Sequence, residues 1–223
     1  NPKTIVVFVA GAPFEIEEIS KKTNALVWSW FNGSEGGNAL ADVLLGKTNP
    51  SGKLPWTMPK TIMDSPAHAT NSFPGDKIVE YKEGILVGYR WFDTKNVEPL
   101  YPFGYGLSYT TFAIADAKAD KASYDVNETI TVSVTVKNTG KTVGKEVVQL
   151  YAAKSDSKIE RAAQELKGFQ KVSVGAGKSA TVTIQVPVKE LAYYDVTAKS
   201  WIVEPGKYTL NIGNSSRDIK NRI

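Results

Sequence analysis

The hydrophobic pattern changes its period along this chain, and that change limits the folds the chain can adopt. Residues 4–10 and 25–31 are continuous apolar runs, which are typical of strands buried on both faces. From about residue 112 apolar and polar residues alternate instead, most clearly in residues 129–137 and 179–186. The sequence therefore predicts two parts that are built differently.

The first part is predicted to alternate strands with helices. Its strands are residues 4–10, 25–31 and 53–58. Strands separated by helices pair in parallel through right-handed crossovers, so the βαβαβ pattern indicates a layered α/β sheet. Three strands leave one edge of such a sheet uncovered. We therefore expect only part of an α/β sandwich here, with further strands preceding Asn1.

Two helices connect these strands. The first is predicted over residues 14–22, and its inward side chains are Phe14, Ile16 and Ile19. The second is expected to start after Ser34, a favourable N-cap, and to end at Gly46, a favourable C-cap.

The alternating second part is typical of a β-sandwich. Its further strands are predicted at residues 147–152, 166–174, 200–204 and 207–212. Short strands with regular turns and no helical period indicate an immunoglobulin or fibronectin type III shape, and the absence of cysteine favours the latter. The predicted domains are residues 1–58 (part of an α/β sandwich), 59–111 (an irregular connecting or docking segment) and 112–223 (a fibronectin type III-like domain).

Composition excludes several classes of function. The chain has no cysteine and a single histidine, His68, so disulfides, thiolate metal sites and multi-histidine metal centres are ruled out. The net charge of +4 is spread along the chain, unlike the concentrated charge of a nucleic-acid binder. No apolar run approaches the roughly eighteen residues of a membrane span. We expect no cofactor, metal, nucleic acid or membrane span.

Four motifs, taken in order, resemble the C-terminal portion of the family-three glycoside hydrolases of β-glucosidase type. They are GGNALADVLLG at 36–46, NPSGKLP at 49–55, YKEGILVGYRWFD at 81–93 and PFGYGLSYTTF at 102–112. In that family an α/β-sandwich domain is followed by a fibronectin type III-like domain. Four ordered motifs are far more specific than any single glycine-rich match.

The resemblance implies a retaining, exo-acting hydrolase that removes terminal β-linked sugars, most often glucose, with two carboxylates as nucleophile and acid/base. In the family the nucleophile is an Asp on a preceding (α/β) barrel domain. The acid/base is a Glu in the sandwich domain, tens of residues before the strand at 4–10. Neither motif is present, so we expect no catalytic residue in this chain and leave its substrate-binding residues open. The expected partners are a β-glucoside or oligosaccharide and the barrel domain. A periplasmic or secreted location is implied by the family alone.

Several polar residues resemble site residues but have simpler interpretations. We expect Glu83, near Arg90, to pair with Lys or Arg and to anchor the connecting segment. Glu35 is expected to stabilise a helix N-terminus rather than to react. Asp42 lies on the same helix, and His68 is expected to be a surface or hydrogen-bonded histidine.

The aromatic residues and two loops indicate less clearly where a sugar site would lie. Trp28 and Trp30 are expected to pack in the core, whereas Trp56 and Trp91 support the connecting segment. Gly104 and Gly106 are interpreted as turn glycines. Ligands of open α/β sheets bind beyond the carboxyl ends of the strands, so the loops at 11–14 and 32–35 are candidates for lining a sugar site.

Three hypotheses remain open from the sequence. The chain is the C-terminal part of a β-glucosidase that is inactive without its other domains, or it is a non-catalytic carbohydrate- or partner-binding module. The third is a self-contained hydrolase that uses Glu83 and Glu35.

Overall fold

Two parallel strands form the first sheet in the computed structural model, which describes residues 1 and 3–223. β1 (Ile5–Phe8) pairs in parallel with β2 (Ala25–Trp28), and α1 (Glu17–Lys22) connects them. α2 (Gly36–Leu44) follows β2. The predicted fold class, an α/β part followed by a β-sandwich, is confirmed.

The predicted third strand at 53–58 is wrong. This segment bonds antiparallel to residues 100–105, through Leu54 N to Tyr105 O and Met58 N to Tyr101 O, both at 2.8 Å. Only the isolated bridge between Met58 and Tyr101 has strand character. Pro55 has no N–H to donate to a ladder, which disfavours a central strand at this position.

The two helices also differ in detail from the prediction. α1 begins at Glu17, and of its three predicted inward residues only Ile16, just before it, is buried. Phe14 and Ile19 are 39% and 38% exposed. The N-cap of α2 is Glu35 rather than Ser34, and its side chain makes no capping hydrogen bond.

The segment between the two parts is mostly irregular. It contains a 3₁₀ turn at Ile62–Asp64 and two short helices, α3 (Pro66–Ala69) and α4 (Tyr89–Thr94). In the described part of the chain no helix has the length and apolarity needed to cross a membrane.

A β-sandwich follows, and its strands are β3 (Phe112–Ala119), β4 (Thr129–Asn138), β5 (Gly144–Ala153), β6 (Glu165–Val174), β7 (Ser179–Pro187), β10 (Thr209–Gly213) and β11 (Ile219–Arg222). They form a four-stranded sheet in the order β11-β10-β5-β6 and a three-stranded sheet in the order β3-β4-β7. β8 (Tyr193–Asp195) and β9 (Ser200–Ile202) form a separate hairpin.

The alternation of apolar and polar residues in β4 shows why the sandwich folds as predicted. Ile130, Val132, Val134 and Val136 are each at most 5% exposed and point into the core between the sheets. Each contributes about 1.5–3 kcal/mol by leaving water. The predicted strands at 200–204 and 207–212 differ by one or two residues at their ends from β9 and β10.

A buried ion pair joins the α/β part to the sandwich. Lys53 Nζ lies 2.8 Å from a carboxylate oxygen of Glu146, and the two side chains are 13% and 7% exposed. The same ammonium group donates to the carbonyl of Gly106 at 2.8 Å. Glu146 also accepts from the N–H of Val147 at 2.7 Å, so each charge has additional hydrogen bonds.

The glycines of the FGYG motif allow the backbone to approach this joint closely. A Cβ on Gly104 would lie 2.2 Å from the side-chain amide oxygen of Gln149, and Gly104 has a φ of +81°. A Cβ on Gly106 would lie 2.2 Å from the carbonyl oxygen of Gly52. Neither position has room for a larger residue, which explains both glycines of the motif.

A second contact with the sandwich lies further back in the connecting segment, at the end of α4. Arg217 of the sandwich forms an ion pair with Asp93 and donates at 2.9 Å to the carbonyls of Phe92 and Val97. These acceptors, with Glu98 at 3.5 Å as a weaker fourth, hold the end of α4 against the sandwich. The connecting segment is therefore held to the sandwich both at its FGYG motif and around α4.

We expect Lys53→Met to lower the free energy of unfolding by about 3 kcal/mol, because it leaves the buried Glu146 carboxylate without its cation. Urea denaturation measures this effect. Adding Glu146→Met should restore much of the loss. The matched control is Lys47→Met, since Lys47 pairs with Asp42 on the surface at 3.6 Å, and it should change stability by less than about 0.5 kcal/mol. Equal effects of the two lysine substitutions would contradict the assigned role of the joint.

Candidate functional site

The carboxyl ends of β1 and β2 lie at one edge of their sheet. Ser29 N donates to Phe8 O at 2.9 Å, and Trp28 Nε1 donates to Ala10 O at 3.0 Å. The two segments therefore stay hydrogen-bonded just beyond the ends of the strands. The loops at 11–14 and 32–35 leave from this edge. We call it the carboxyl edge.

Aromatic side chains pack together beneath the carboxyl edge. The ring of Trp28 lies 5.2 Å from Phe8, 5.3 Å from Phe14 and 5.4 Å from Trp56. Trp30 lies 4.5 Å from Trp56, which therefore joins this cluster. The tryptophans pack against one another but are only half-buried, so the prediction that Trp28 and Trp30 are core residues is wrong. Their mutual contacts stabilise the edge.

Phe31 differs from these aromatic residues because 77% of its surface is exposed. Its ring lies over Gly11, where a Cβ would come within 2.7 Å of it. Phe31 therefore sits between the two candidate loops with its ring open to solvent. The sequence placed it in a buried strand, but β2 ends at Trp28 and Trp30 adopts a left-handed backbone with a φ of 59°. That local geometry was not visible in the sequence.

Glu15 is a carboxylate at the carboxyl edge that the sequence did not single out. It accepts from the backbone N–H of Ile62 at 2.7 Å and from the hydroxyl of Thr61 at 2.9 Å. These hydrogen bonds hold the pKa of Glu15 below its usual value, and the one from Ile62 has the largest effect. A general acid needs a raised pKa. Glu15 is therefore suited to tying the loop to the connecting segment rather than to proton donation.

The carboxylates of α2 have surface contacts. Glu35 accepts from Asn38 Nδ2 at 2.7 Å, and its position at the start of the helix is favourable with the helix dipole. Asp42 pairs with Lys47 on the exposed side of the helix. Neither arrangement has the features of a catalytic acid.

Glu83 does not make its predicted ion pair. Among the residues that the structure describes, it has no Lys or Arg partner, and its Oε2 is buried without a hydrogen bond. Arg90 Nε is also buried without a hydrogen bond. Leu86 and Phe92 of the same segment are buried, at 2% and 3% exposure.

His68 and Trp91 have local structural contacts. Ser65 Oγ and His68 Nδ1 lie 2.8 Å apart, and the imidazole ring is 5.0 Å from Phe73. Trp91 Nε1 donates to Asp64 O at 3.2 Å. Both side chains therefore stabilise the connecting segment.

An apolar groove of about 740 Å³ runs along β2 and α2. Its walls include Leu26, Val27, Leu40, Val43 and Tyr109. Sugar sites need converging polar groups to fix the hydroxyls. Apolar walls of this kind are typical of a surface that packs against further polypeptide.

Residues 1–109 match the model of the glycosyl hydrolase family 3 C-terminal domain, and residues 146–216 match a fibronectin type III-like domain. The chain belongs to glycoside hydrolase family 3, and it comprises the family's C-terminal portion.

Individual relatives cover the whole chain. It is 48% identical to thermostable β-glucosidase B of Acetivibrio thermocellus over 96% of its length. It is 39% identical over its full length to the exo-α-(1→6)-L-arabinopyranosidase of Bifidobacterium breve. The crystal structure of a Bifidobacterium adolescentis family-three β-glucosidase superimposes with a TM-score of 0.93 at 40% identity over the full chain. The chain spans only 28%, 29% and 32% of these three proteins.

The contact between Glu15 and the connecting segment should depend on pH. Because the pKa of Glu15 is lowered, its stabilisation is present above the ordinary pKa of glutamate and is lost as the pH falls through the lowered value. Carboxyl ¹³C NMR should give a midpoint below the ordinary glutamate value. Thr61→Val removes one donor and should move the midpoint upwards. A midpoint at or above the ordinary value in the unaltered protein would refute the assigned contact.

Proposed function

We propose that this chain is the C-terminal part of a longer retaining β-glucosidase that hydrolyses terminal, non-reducing β-D-glucosyl residues. The nucleophile and the acid/base belong to parts of that protein outside these residues. The observation that carries the proposal is the full-length similarity to named β-glucosidases, of which this chain spans about a third or less. A periplasmic or secreted location belongs to the same proposal and rests on the family resemblance alone.

The unfinished first sheet supports a larger protein. β1 and β2 are apolar on both faces, yet Ile5 is exposed and the other strand residues are only half-buried. Parallel sheets occur almost only with both faces covered. Each Å² of apolar surface that a further layer covers contributes about 25 cal/mol. The groove along β2 and α2 is the place where such a layer would pack.

The carboxyl edge supports a role in substrate binding. In open α/β sheets ligands bind outside the carboxyl ends of the strands, where Phe31 presents its ring between the two candidate loops. We assign this edge to the rim of the sugar site, with Phe31 contacting an apolar face of the sugar. The residues of this chain orient the substrate and exclude water. In a retaining mechanism two carboxylates about 5–5.5 Å apart carry out the displacement.

One relative supports a second sugar as the group that the intact protein removes. The Bifidobacterium breve relative is named as an exo-α-(1→6)-L-arabinopyranosidase and is 39% identical over the full chain. An α-L-arabinopyranoside is therefore the second candidate substrate of the intact protein.

The activity test uses the intact polypeptide that contains this sequence, and it compares chromogenic β-D-glucoside with α-L-arabinopyranoside. We expect kcat/KM to be higher for the β-glucoside, and no turnover by the 223-residue chain alone. Turnover by this chain alone that Glu83→Gln abolishes would instead support a self-contained hydrolase. An intact protein that binds insoluble glucan but hydrolyses neither glycoside would indicate a binding module.

Phe31→Ala in the intact protein should lower kcat/KM for the β-glucoside about five- to tenfold, the equivalent of losing about 1 kcal/mol of aromatic contact. The matched control is Phe169→Ala, because Phe169 is also exposed, at 65%, but lies on the sandwich. It should leave kcat/KM unchanged. Identical kinetics of the two variants would remove Phe31 from the sugar site.

A further inference from the structure

Asn32 and Gly33 form the only Asn-Gly pair in the sequence. The carboxamide carbon of an asparagine and the backbone nitrogen of the next residue can close a five-membered ring. A side chain on that next residue hinders the closure. Gly33 carries no Cβ, so its nitrogen can approach the carboxamide of Asn32 freely. The sequence therefore favours Asn32 over the other asparagines as a place where the side-chain amide is lost.

The structure leaves both reacting groups of this pair free. Asn32 is exposed, and within the part of the chain that the structure describes neither its carboxamide nor the N–H of Gly33 makes a hydrogen bond. Gly33 has a φ of +70°, and a Cβ added to it would contact nothing. The ring can therefore close without the cost of breaking a hydrogen bond.

Two other asparagines are protected from the same reaction. The carboxamide of Asn138 is buried and makes hydrogen bonds through both its nitrogen and its oxygen. Asn49 is also hydrogen-bonded, and the residue after it is Pro50, whose nitrogen has no proton to lose. The freedom of Asn32 is thus a local property of its loop.

We propose that Asn32 is a site of spontaneous deamidation, with the backbone of the chain as the nucleophile. Hydroxide removes the proton from Gly33 N, and this nitrogen attacks Cγ of Asn32. The new N–Cγ bond forms as the Cγ–Nδ2 bond breaks, and ammonia leaves with a proton from water, which regenerates hydroxide. Water then opens the succinimide at either carbonyl, which leaves aspartate or isoaspartate at position 32. The rate rises with pH because hydroxide generates the attacking anion.

The two products differ in their effect on the loop. A Cβ on Gly36 would lie 2.5 Å from Cβ of Asn32, so the side chain of Asn32 rests against the first residue of α2. A carboxylate beside a helix N-terminus is favourable, so aspartate fits this position. Isoaspartate instead adds a methylene group to the main chain and moves Phe31 relative to α2.

The modification itself does not depend on the proposed function, but its effect on turnover rests on that function. The loop at 32–35 and Phe31 border the sugar site assigned above. Displacing Phe31 weakens a substrate contact, so KM for the β-glucoside should rise as isoaspartate accumulates.

Incubation of the intact polypeptide in ¹⁸O-labelled water, at mildly alkaline and mildly acidic pH, tests the proposal. Peptide mass spectrometry follows Asn32 and its matched control Asn127, which is also exposed and also without a hydrogen bond among the described residues but precedes Glu128. We expect Asn32 to lose its amide at least about tenfold faster than Asn127, because Gly33 has no Cβ to hinder the ring. The loss should be faster at alkaline pH and should yield ¹⁸O-labelled isoaspartate as well as aspartate.

Two variants separate the ring closure from other changes during incubation. Asn32→Gln requires a six-membered ring, which closes more slowly, so this variant should keep both its amide at position 32 and its initial KM. Asn127→Gln should leave the deamidation of Asn32 and the accompanying rise in KM as they are in the unaltered protein.

Three results would overturn the proposal: equal rates at Asn32 and Asn127, a rate at Asn32 that does not rise with pH, or aspartate without isoaspartate, which would indicate direct hydrolysis. Isoaspartate at position 32 with an unchanged KM would support the modification and refute the place of the loop at the sugar site. Isoaspartate in a protein that hydrolyses no glycoside would support the modification and refute the proposed activity.

Discussion

The close approach of two backbones at Gly104 and Gly106 determines how the two parts of this protein fit together. Because neither residue carries a side chain, the connecting segment lies directly against Gln149 of the sandwich and against Gly52. This approach brings Lys53 within reach of Glu146. The buried charges then have partners, which avoids the cost of burying an isolated ion. The position of the α/β part relative to the sandwich follows from this contact.

The sandwich was more predictable from the sequence than the α/β part, for a physical reason. In β4 the pattern of buried and exposed residues is local, so Ile130 to Val136 indicate a strand whatever surrounds them. The segment at 53–58 has an equally apolar sequence, but its partner is decided by residues about fifty positions away. Tyr101 and Tyr105 take its hydrogen bonds, and no local pattern reveals that choice.

The candidate site was predictable as a place but not as a set of residues. The rule for open α/β sheets identifies the carboxyl edge from strand order alone. The exposure of Phe31 depends on the left-handed backbone of Trp30, and the role of Glu15 depends on donors at Thr61 and Ile62. The predicted ion pair of Glu83 is absent among the described residues, because the approach of a cation in space is not encoded in the neighbouring sequence.

The bridge between Met58 and Tyr101 closes the intervening chain into a loop whose ends are fixed beside each other. The entropy of closing a flexible loop grows only slowly with its length, by about 0.6 kcal/mol for each doubling. Residues 74–82 of this loop are all exposed, so insertions there would cost the sheets on either side little, whereas the buried Leu86 and Phe92 fix a later part of the loop. The exposed part of the loop is thus where the chain can change its length while it keeps the same two folds.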